Sequence, residues 1–280
     1  VSSGALVLVG TPIGNLGDLS PRAVDELAAA DVVVCEDTRR TGRLLEHAGV
    51  RARRLLVADD HNEVRRIGEV LERLGRGERV AVVSDAGMPG ISDPGERLVR
   101  AAVEAGHRVE VVPGPAAAVT AVVVSGLPTG RFVMEGFLPR KGAARRARLA
   151  EVAAECRTVV LYEAPHRLAR TVTDLLVACG PDRPVVLARE LTKLHEEVWR
   201  GSLAAAADHL ASVAPRGEYV VVLAGAPAGD EPGDDEVRAA LAAARSSGAS
   251  TRDAVDEVAV VLGVARRRVY RLATAGDDQP

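Results

Sequence analysis

The sequence predicts two successive α/β domains followed by a small helical module, and three observations carry that reading. Apolar runs recur through the first 225 residues and alternate with stretches of helical period. The runs are continuous in Val, Ile and Leu, as expected of strands covered on both faces in a mostly parallel sheet. The pattern pauses at "SGLPTGR" (125–131) and restarts, and an acidic Gly/Pro-rich stretch, "GAPAGDEPGDDE" (225–236), sets off the last 45 or so residues. The expected divisions are a first α/β domain over 1–128, a second over 129–226, a linker over 227–234 and a helical module over 235–280.

In order, the first domain should hold strands at Leu6–Val9, Asp31–Cys35, Arg54–Val57, Val80–Ser84 and Val109–Val112. Helical stretches fall between them at Pro21–Ala30, Asn62–Leu74 and Pro94–Ala105. Ser20-Pro21 reads as an N-cap before a proline at the first helical position. Asp93-Pro94-Gly95-Glu96 has the spacing of a capping box. The second domain should hold strands at Phe132–Phe137, Thr158–Tyr162, Val185–Ala188, Glu197–Arg200 and Tyr219–Ala224, with helices at Ala143–Ala154, Arg167–Ala178 and Leu203–Ser212. The module offers helices at Asp235–Ala244, Thr251–Leu262 and Ala265–Ala273, the last two spaced like a helix-turn-helix.

Composition narrows the function classes. A net charge of −3 projects no global basic field toward nucleic acid. Of 36 basic residues only Lys141 and Lys193 are lysines, a bias that a GC-rich coding sequence would produce and that leaves many guanidinium forks suited to phosphate. No apolar run approaches the roughly 20 residues that span a bilayer, and the start lacks a signal-peptide pattern. Three scattered cysteines suit neither a disulfide framework nor a zinc site. The expectation is a soluble protein of a reducing compartment, the cytoplasm.

The opening "LVLVGTPIGNLGDLS" invites a phosphate-loop reading that fails on detail. No lysine occurs in the first 140 residues, so there is no P-loop. The spacing of Gly10, Gly14 and Gly17 is not G-x-G-x-x-G, and Ser20-Pro21 delays the helix. Two further loops, "SDAGMPGISDPG" (84–95) and "VPGPAAA" (112–118), also leave strand carboxyl ends. Three such loops should converge on one sheet edge, where open α/β folds bind ligands, and their small residues let backbone approach a ligand closely. A lone carboxylate such as Asp85 suits hydroxyls or positive charge better than several phosphates.

These loops, with "EDTRRTGRLL", "DDHNE", "GFLPRKG", "YEAPHRL", "ARELTKLHEEVWRG" and "GEYVVVL", run in order along nearly the whole chain. Together they resemble the ribosomal branch of the tetrapyrrole methylase superfamily, the class III S-adenosylmethionine enzymes built from two unlike α/β domains with a cleft between them. That resemblance implies 2′-O-methylation of a decoding-region cytidine of 16S rRNA (cytidine 1402) on the 30S subunit, with S-adenosyl-L-methionine as cofactor and a homodimeric assembly. It implies cofactor contacts at Pro12, Gly14, Asp85, Ala86, Gly87, Met88, Ala116, Ala117, Leu161, Tyr162 and Val222. Ser84-Asp85-Ala86 stands where corrin enzymes carry Gly-Asp-Pro, which favours the RNA branch.

Methyl transfer to a 2′-hydroxyl calls for positioning and a general base. The candidates are Asp37, His61 and Glu63; the duller alternatives are that Asp37 only pairs Arg39 or Arg40, and that His61 or Glu63 only caps a helix. His166-Arg167 reads chiefly as a helix start after Pro165. His61 and the neighbouring acids could ligate a metal, but direct transfer does not require one and none is expected. RNA contacts are expected from Arg39, Arg40, Arg140, Lys141, Arg145, Arg146, Arg266, Arg267 and Arg268. With aromatics at 2%, recognition would rest on phosphate, 2′-OH and shape more than on stacking. Two alternatives stay open: a corrin or porphyrin methylase of the same fold, and a ligand-sensing nucleic-acid-binding regulator.

Overall fold

The computed structural model describes residues 4–59, 63–227 and 232–275. They form two compact units, one ending at Gly225 and the other beginning at Ala226.

The first unit contains two five-stranded sheets. Strands β1 (Ala5–Val9), β2 (Val32–Cys35), β3 (Leu55–Val57), β4 (Arg79–Val82) and β5 (Arg108–Val112) form the first, in the order β3-β2-β4-β1-β5 with every pairing parallel. Its continuous apolar runs are explained by cover on both faces. Ala5, Val7, Val33 and Ala81 pack against α1 (Pro21–Ala29) on one side, while Leu6, Val34, Val80 and Val82 meet α3 (Glu63–Gly75) and α4 (Glu96–Glu104) on the other. The Ser20 hydroxyl caps α1 by accepting from the Ala23 N–H at 3.1 Å. A further helix, α2 (Thr38–His47), starts at an Asp37 cap and carries the "RTGR" arginines.

The second sheet is mixed. Strands β6 (Phe132–Phe137) and β7 (Thr158–Glu163) pair in parallel, and β10 (Tyr219–Leu223), β8 (Pro184–Arg189) and β9 (Glu197–Ser202) follow antiparallel, in the order β6-β7-β10-β8-β9. One face, through Leu161, Leu187, Val221 and Leu223, is covered by α6 (Gly142–Ala154), α7 (Pro165–Cys179) and α8 (Leu203–Ser212). The other, through Val160, Val186, Val220 and Val222, receives α5 (Ala117–Ser125), which leaves the end of β5. The apolar run at 116–124 is therefore a helix that passes from the first sheet to the second.

Helix α4 departs from its expected start. It begins at Glu96 after Gly95, whose φ of 136° only glycine adopts readily, and Asp93 does not cap it. The orphan N–H groups are met from a distant element: a Glu63 carboxylate oxygen accepts from Gly95 at 2.9 Å and Leu98 at 3.3 Å. The expected start of α3 at Asn62 lies outside the described residues.

The second unit is three helices, α9 (Asp234–Ser246), α10 (Thr251–Val261) and α11 (Arg266–Thr274), around a core of Val237, Leu241, Val255, Val258 and Val269. The Gly263 turn between α10 and α11 has φ 62°, as a tight helix-turn-helix connection needs.

Candidate active site

Backbone-to-backbone contact builds one wall of the site. The Gly10 N–H donates to Val112 O at 2.9 Å, which carries the turn after β1 toward the loop after β5. A Cβ on Gly10 would lie 2.6 Å from Gly114 N and 2.6 Å from Met88 Sδ, and one on Gly114 would lie 2.8 Å from Gly10 Cα. Glycine is therefore obligatory on both sides of the contact. Thr11 and Gly87 exchange N–H···O bonds of 2.9 and 3.2 Å, tying in the loop after β4. The three glycine loops thus meet as one surface.

That surface bounds a cavity of about 700 Å³, closed opposite by Tyr162, Ala188 and Val220 of the second sheet. Six of the expected cofactor contacts line it: Ala86, Gly87, Met88, Ala116, Ala117 and Tyr162. Pro12 is buried just behind the wall, where Ile13 takes the lining position, and Asp85 lies one residue behind Ala86. Gly14 abuts the Lys193 side chain. Leu161 and Val222 do not line the cavity: Leu161 points to the opposite face of its sheet, and Val222 is enclosed beneath α5. Period-two alternation on β7 sends Tyr162 inward and Leu161 outward. The volume and the mostly apolar lining, with small residues on the glycine loops, aromatic ones from the second sheet and a few polar groups, suit a small organic cofactor. Burial pushes the Tyr162 phenol up, so it stays a hydrogen-bond donor at neutral pH.

The acid–base candidates separate clearly. The Asp37 carboxylate caps α2 through the Arg39 N–H at 2.8 Å and forms a fork with the Arg39 guanidinium at 3.1 and 2.7 Å. Those bonds hold its carboxyl at about 2, too weak a base for a ribose hydroxyl. Glu63 is buried and committed to the α4 N-terminus, with Arg97 Nε 4.0 Å away. His61 lies outside the described residues. Asp85 behaves oppositely to Asp37: burial pushes its carboxyl up, against the pull of Arg40 and of the Asp37 N–H. Its oxygens are oriented by that N–H at 3.2 Å and by Arg40 Nε at 3.3 Å. His166, in the first turn of α7, faces the cavity as well as starting the helix. Among the described residues no group of three or more His, Cys, Asp or Glu could hold a metal ion.

The cationic candidates also divide. Arg145 is a correction: it is 4% exposed, bonded to Asp174 at 2.7 Å, to Thr171 at 2.9 Å and to the Pro139 carbonyl at 3.0 Å. It braces α6 against α7 and is not available to a phosphate. Arg268 is likewise turned inward, bonding Asp234 and the Pro232 carbonyl at the start of α9. Arg266 pairs with Asp256, and Arg39 and Arg40 with Asp37 and Asp85, but all three remain mostly exposed. Arg140, Lys141, Arg146 and Arg267 are exposed.

Sequence reasoning missed one group at the cavity. Glu190, Lys193 and Glu218 all line it, and Lys193 Nζ donates to Glu190 Oε1 at 2.9 Å and to Glu218 Oε2 at 2.8 Å. The backbone there is strained, with φ of 49° at Glu190 and 68° at the β-branched Thr192. The Thr192 hydroxyl accepts from the Asn15 N–H at 3.1 Å, bracing the opening loop. The available signal was Lys193 itself, one of only two lysines in the chain.

Comparison with known proteins bears on this arrangement. Residues 5–207 match the Tetrapyrrole (Corrin/Porphyrin) Methylases. The protein named ribosomal RNA small subunit methyltransferase I from Synechocystis sp. is 44% identical over 96% of this chain and 97% of its own. Its namesake from Mycobacterium tuberculosis is 46% identical over the full length of both chains, and that from Thermotoga maritima 47% over 79% of this chain and 99% of its own. Among solved structures, the methyltransferase CobJ superposes with a TM-score of 0.62 at 24% identity, over 81% of this chain and 98% of that one. Uroporphyrin-III C-methyltransferase from Thermus thermophilus, complexed with S-adenyl homocysteine, gives 0.55 at 20%, over 79% of this chain and 96% of its own; both share the fold. The matched segment spans the first sheet, four of the five strands of the second and the three glycine loops that wall the cavity, and the chain belongs to the tetrapyrrole (corrin/porphyrin) methylase family.

Proposed function

We propose that the protein transfers a methyl group from S-adenosyl-L-methionine to the ribose 2′-hydroxyl of a decoding-region cytidine in 16S rRNA, acting on the small ribosomal subunit. The single observation that carries this reading is the glycine-walled cavity in a chain aligned end to end with a ribosomal RNA small subunit methyltransferase I. Bound in the cavity, the cofactor supplies an electrophilic methyl on a sulfonium.

The residues of this chain supply placement, exclusion of water and a proton acceptor. Ala86, Gly87, Met88, Ala116 and Ala117 form the close-fitting wall, and Tyr162 offers a phenol from the other side. The small side chains admit backbone contact, and the apolar lining keeps water from competing for the methyl. Asp85 is the carboxylate best suited to take the ribose proton. It is held by Arg40 and the Asp37 N–H, and burial raises its affinity for a proton where Asp37 is depressed. Asp37 and Glu63 then serve by placing Asp85 and the loop that carries it.

A recessed ribose cannot be reached in a stacked strand, so the target nucleotide is turned out of the RNA into the cavity. Exposed Arg140, Lys141 and Arg146 on one unit and Arg267 and Arg271 on the other are the phosphate contacts. The enzyme works in the cytoplasm, where its substrate is, and as a homodimer; no helix among the described residues is long and apolar enough to cross a membrane.

The test is incubation with labelled S-adenosylmethionine and 30S subunits from a strain lacking the gene. Label at one alkali-resistant position of 16S rRNA is the expected outcome. Unlabelled rRNA, or label transferred to a corrin or porphyrin, overturns the reading.

A further inference from the structure

The charged cluster at the cavity rim has no part in the transfer described above, yet its geometry is specific. Lys193 Nζ uses two N–H groups on Glu190 Oε1 and Glu218 Oε2, which leaves a third for a ligand. Glu190 Oε1 also accepts from the Glu218 N–H at 2.9 Å, so this carboxylate is fixed in orientation. Its Oε2 makes no hydrogen bond to a described residue. The left-handed backbone at Glu190 and Thr192, and the Asn15 bond to Thr192, fix the segment from both ends.

Neither group changes charge near neutral pH. Desolvation pushes the Glu190 carboxyl up, but the Glu218 N–H and Lys193 outweigh it and bring it below its usual range. Desolvation pulls the Lys193 ammonium down, but Glu218 and Glu190 outweigh it and bring it above. The pair is thus a permanent acceptor beside a permanent donor, unsuited to proton transfer. Two carboxylates against one ammonium leave the cluster negative, which repels phosphate. A neutral hydrogen-bonding edge is the ligand it fits.

We infer that Glu190 and Lys193 read the Watson–Crick edge of the target base as cytosine, Glu190 Oε2 accepting from the exocyclic amino group and the remaining N–H of Lys193 Nζ donating to the ring N3. A carboxylate facing the cytosine amino group is an established mode of base readout. Uracil turns a carbonyl oxygen toward the carboxylate and an N–H toward the ammonium, so both contacts become repulsive. Adenine presents the same amino and ring-nitrogen edge, so the adenine of the cofactor is the competing source. Position favours the RNA base: the Glu218 side chain is 75% exposed, and Gly14 and Leu194 beside Lys193 and Asn15 bonded to Thr192 are exposed too, so the cluster lies where a macromolecule enters. This inference rests on the methyltransferase reading above and identifies what that site selects.

The experiment compares 30S particles carrying cytidine or uridine at the target position, under enzyme excess, and reads kcat/KM for each. S-adenosylmethionine Kd is measured separately by calorimetry. Glu190→Gln can turn its amide to offer uracil a donor, and Lys193→Met removes the ammonium while leaving the carboxylates. Each variant should lower the cytidine-to-uridine ratio by about ten- to a hundredfold, with the cofactor Kd within twofold of wild type. An unchanged ratio overturns the inference, whatever the loss of rate. A cofactor Kd weakened more than tenfold with the ratio unchanged overturns it in favour of adenine. A wild-type protein that leaves cytidine particles unmethylated instead defeats the methyltransferase reading itself.

Discussion

The two walls of the cavity are made by opposite means. On the first-sheet side, Gly10 meets Gly114 backbone to backbone, and the lining residues are uncharged apart from Asp93. On the second-sheet side, Glu190, Lys193 and Glu218 carry full charges, the first two on a segment held left-handed at Glu190 and Thr192. Each such conformation costs on the order of 1–2 kcal/mol in a residue with a side chain. One wall is shaped by missing side chains and the other by side chains locked in place against strain. Close approach to a ligand needs the first; a fixed pattern of donors and acceptors needs the second.

The sharpest way to break this comparison is to add one carbon to each wall. Gly10→Ala drives a Cβ into the Gly114 backbone, which cannot swing aside, and should cost about 3 kcal/mol in urea unfolding. Gly14→Ala meets Lys193 Cγ at 2.3 Å, a side chain that can shift only by loosening its pairs with Glu190 and Glu218, so a smaller cost of about 1–2 kcal/mol is expected. Equal costs would erase the distinction.

A smaller effect is expected at Glu63, which stiffens the glycine wall from behind. Glu63→Ala removes the cap of α4 and should cost about 1–2 kcal/mol while weakening cofactor binding. Glu63→Gln keeps an oxygen acceptor and should restore most of both binding and turnover. A glutamine variant that binds cofactor normally but does not turn over would return Glu63 to the role of base.

The smallest effect concerns pH and Asp85. A carboxyl whose pKa is raised on folding disfavours its own ionised folded form, so its contribution falls as pH rises from the ordinary value of 3.8 through the raised folded value. Asp85→Asn should match wild type in stability below that window and exceed it slightly above, with turnover lost at every pH. A variant less stable than wild type at neutral pH would show that the Arg40 pairing outweighs desolvation.

Much of the fold was legible because its signals are local. Two-faced apolar strands, the Ser20 cap and three glycine loops at strand ends are written in runs of a few residues. Helix α5 was harder to read, since an apolar run buried beneath a second sheet shows no amphipathic period. Helix α4 was placed two residues early because the capping-box spacing at Asp93 imitates a cap that Glu63 supplies. The antiparallel order of the second sheet leaves no mark within any one strand.

The candidate site divides in the same way. Short motifs were enough to place Ala86, Gly87, Met88, Ala116, Ala117 and Tyr162 along one cavity. They were not enough to show that Arg145 is spent on Asp174 and Thr171, that the Asp37 carboxylate is spent on Arg39, or that Glu190, Lys193 and Glu218 meet. The sequence alone determined the strands, the glycine turns and most of the helices, α2 and α5 excepted, because periodicity and φ preference act between near neighbours. Only the tertiary structure decided which charges are free and which are spent, because partners such as Glu63 and Gly95 or Lys193 and Glu218 stand 25 or more positions apart and meet only once the sheet that carries them is assembled.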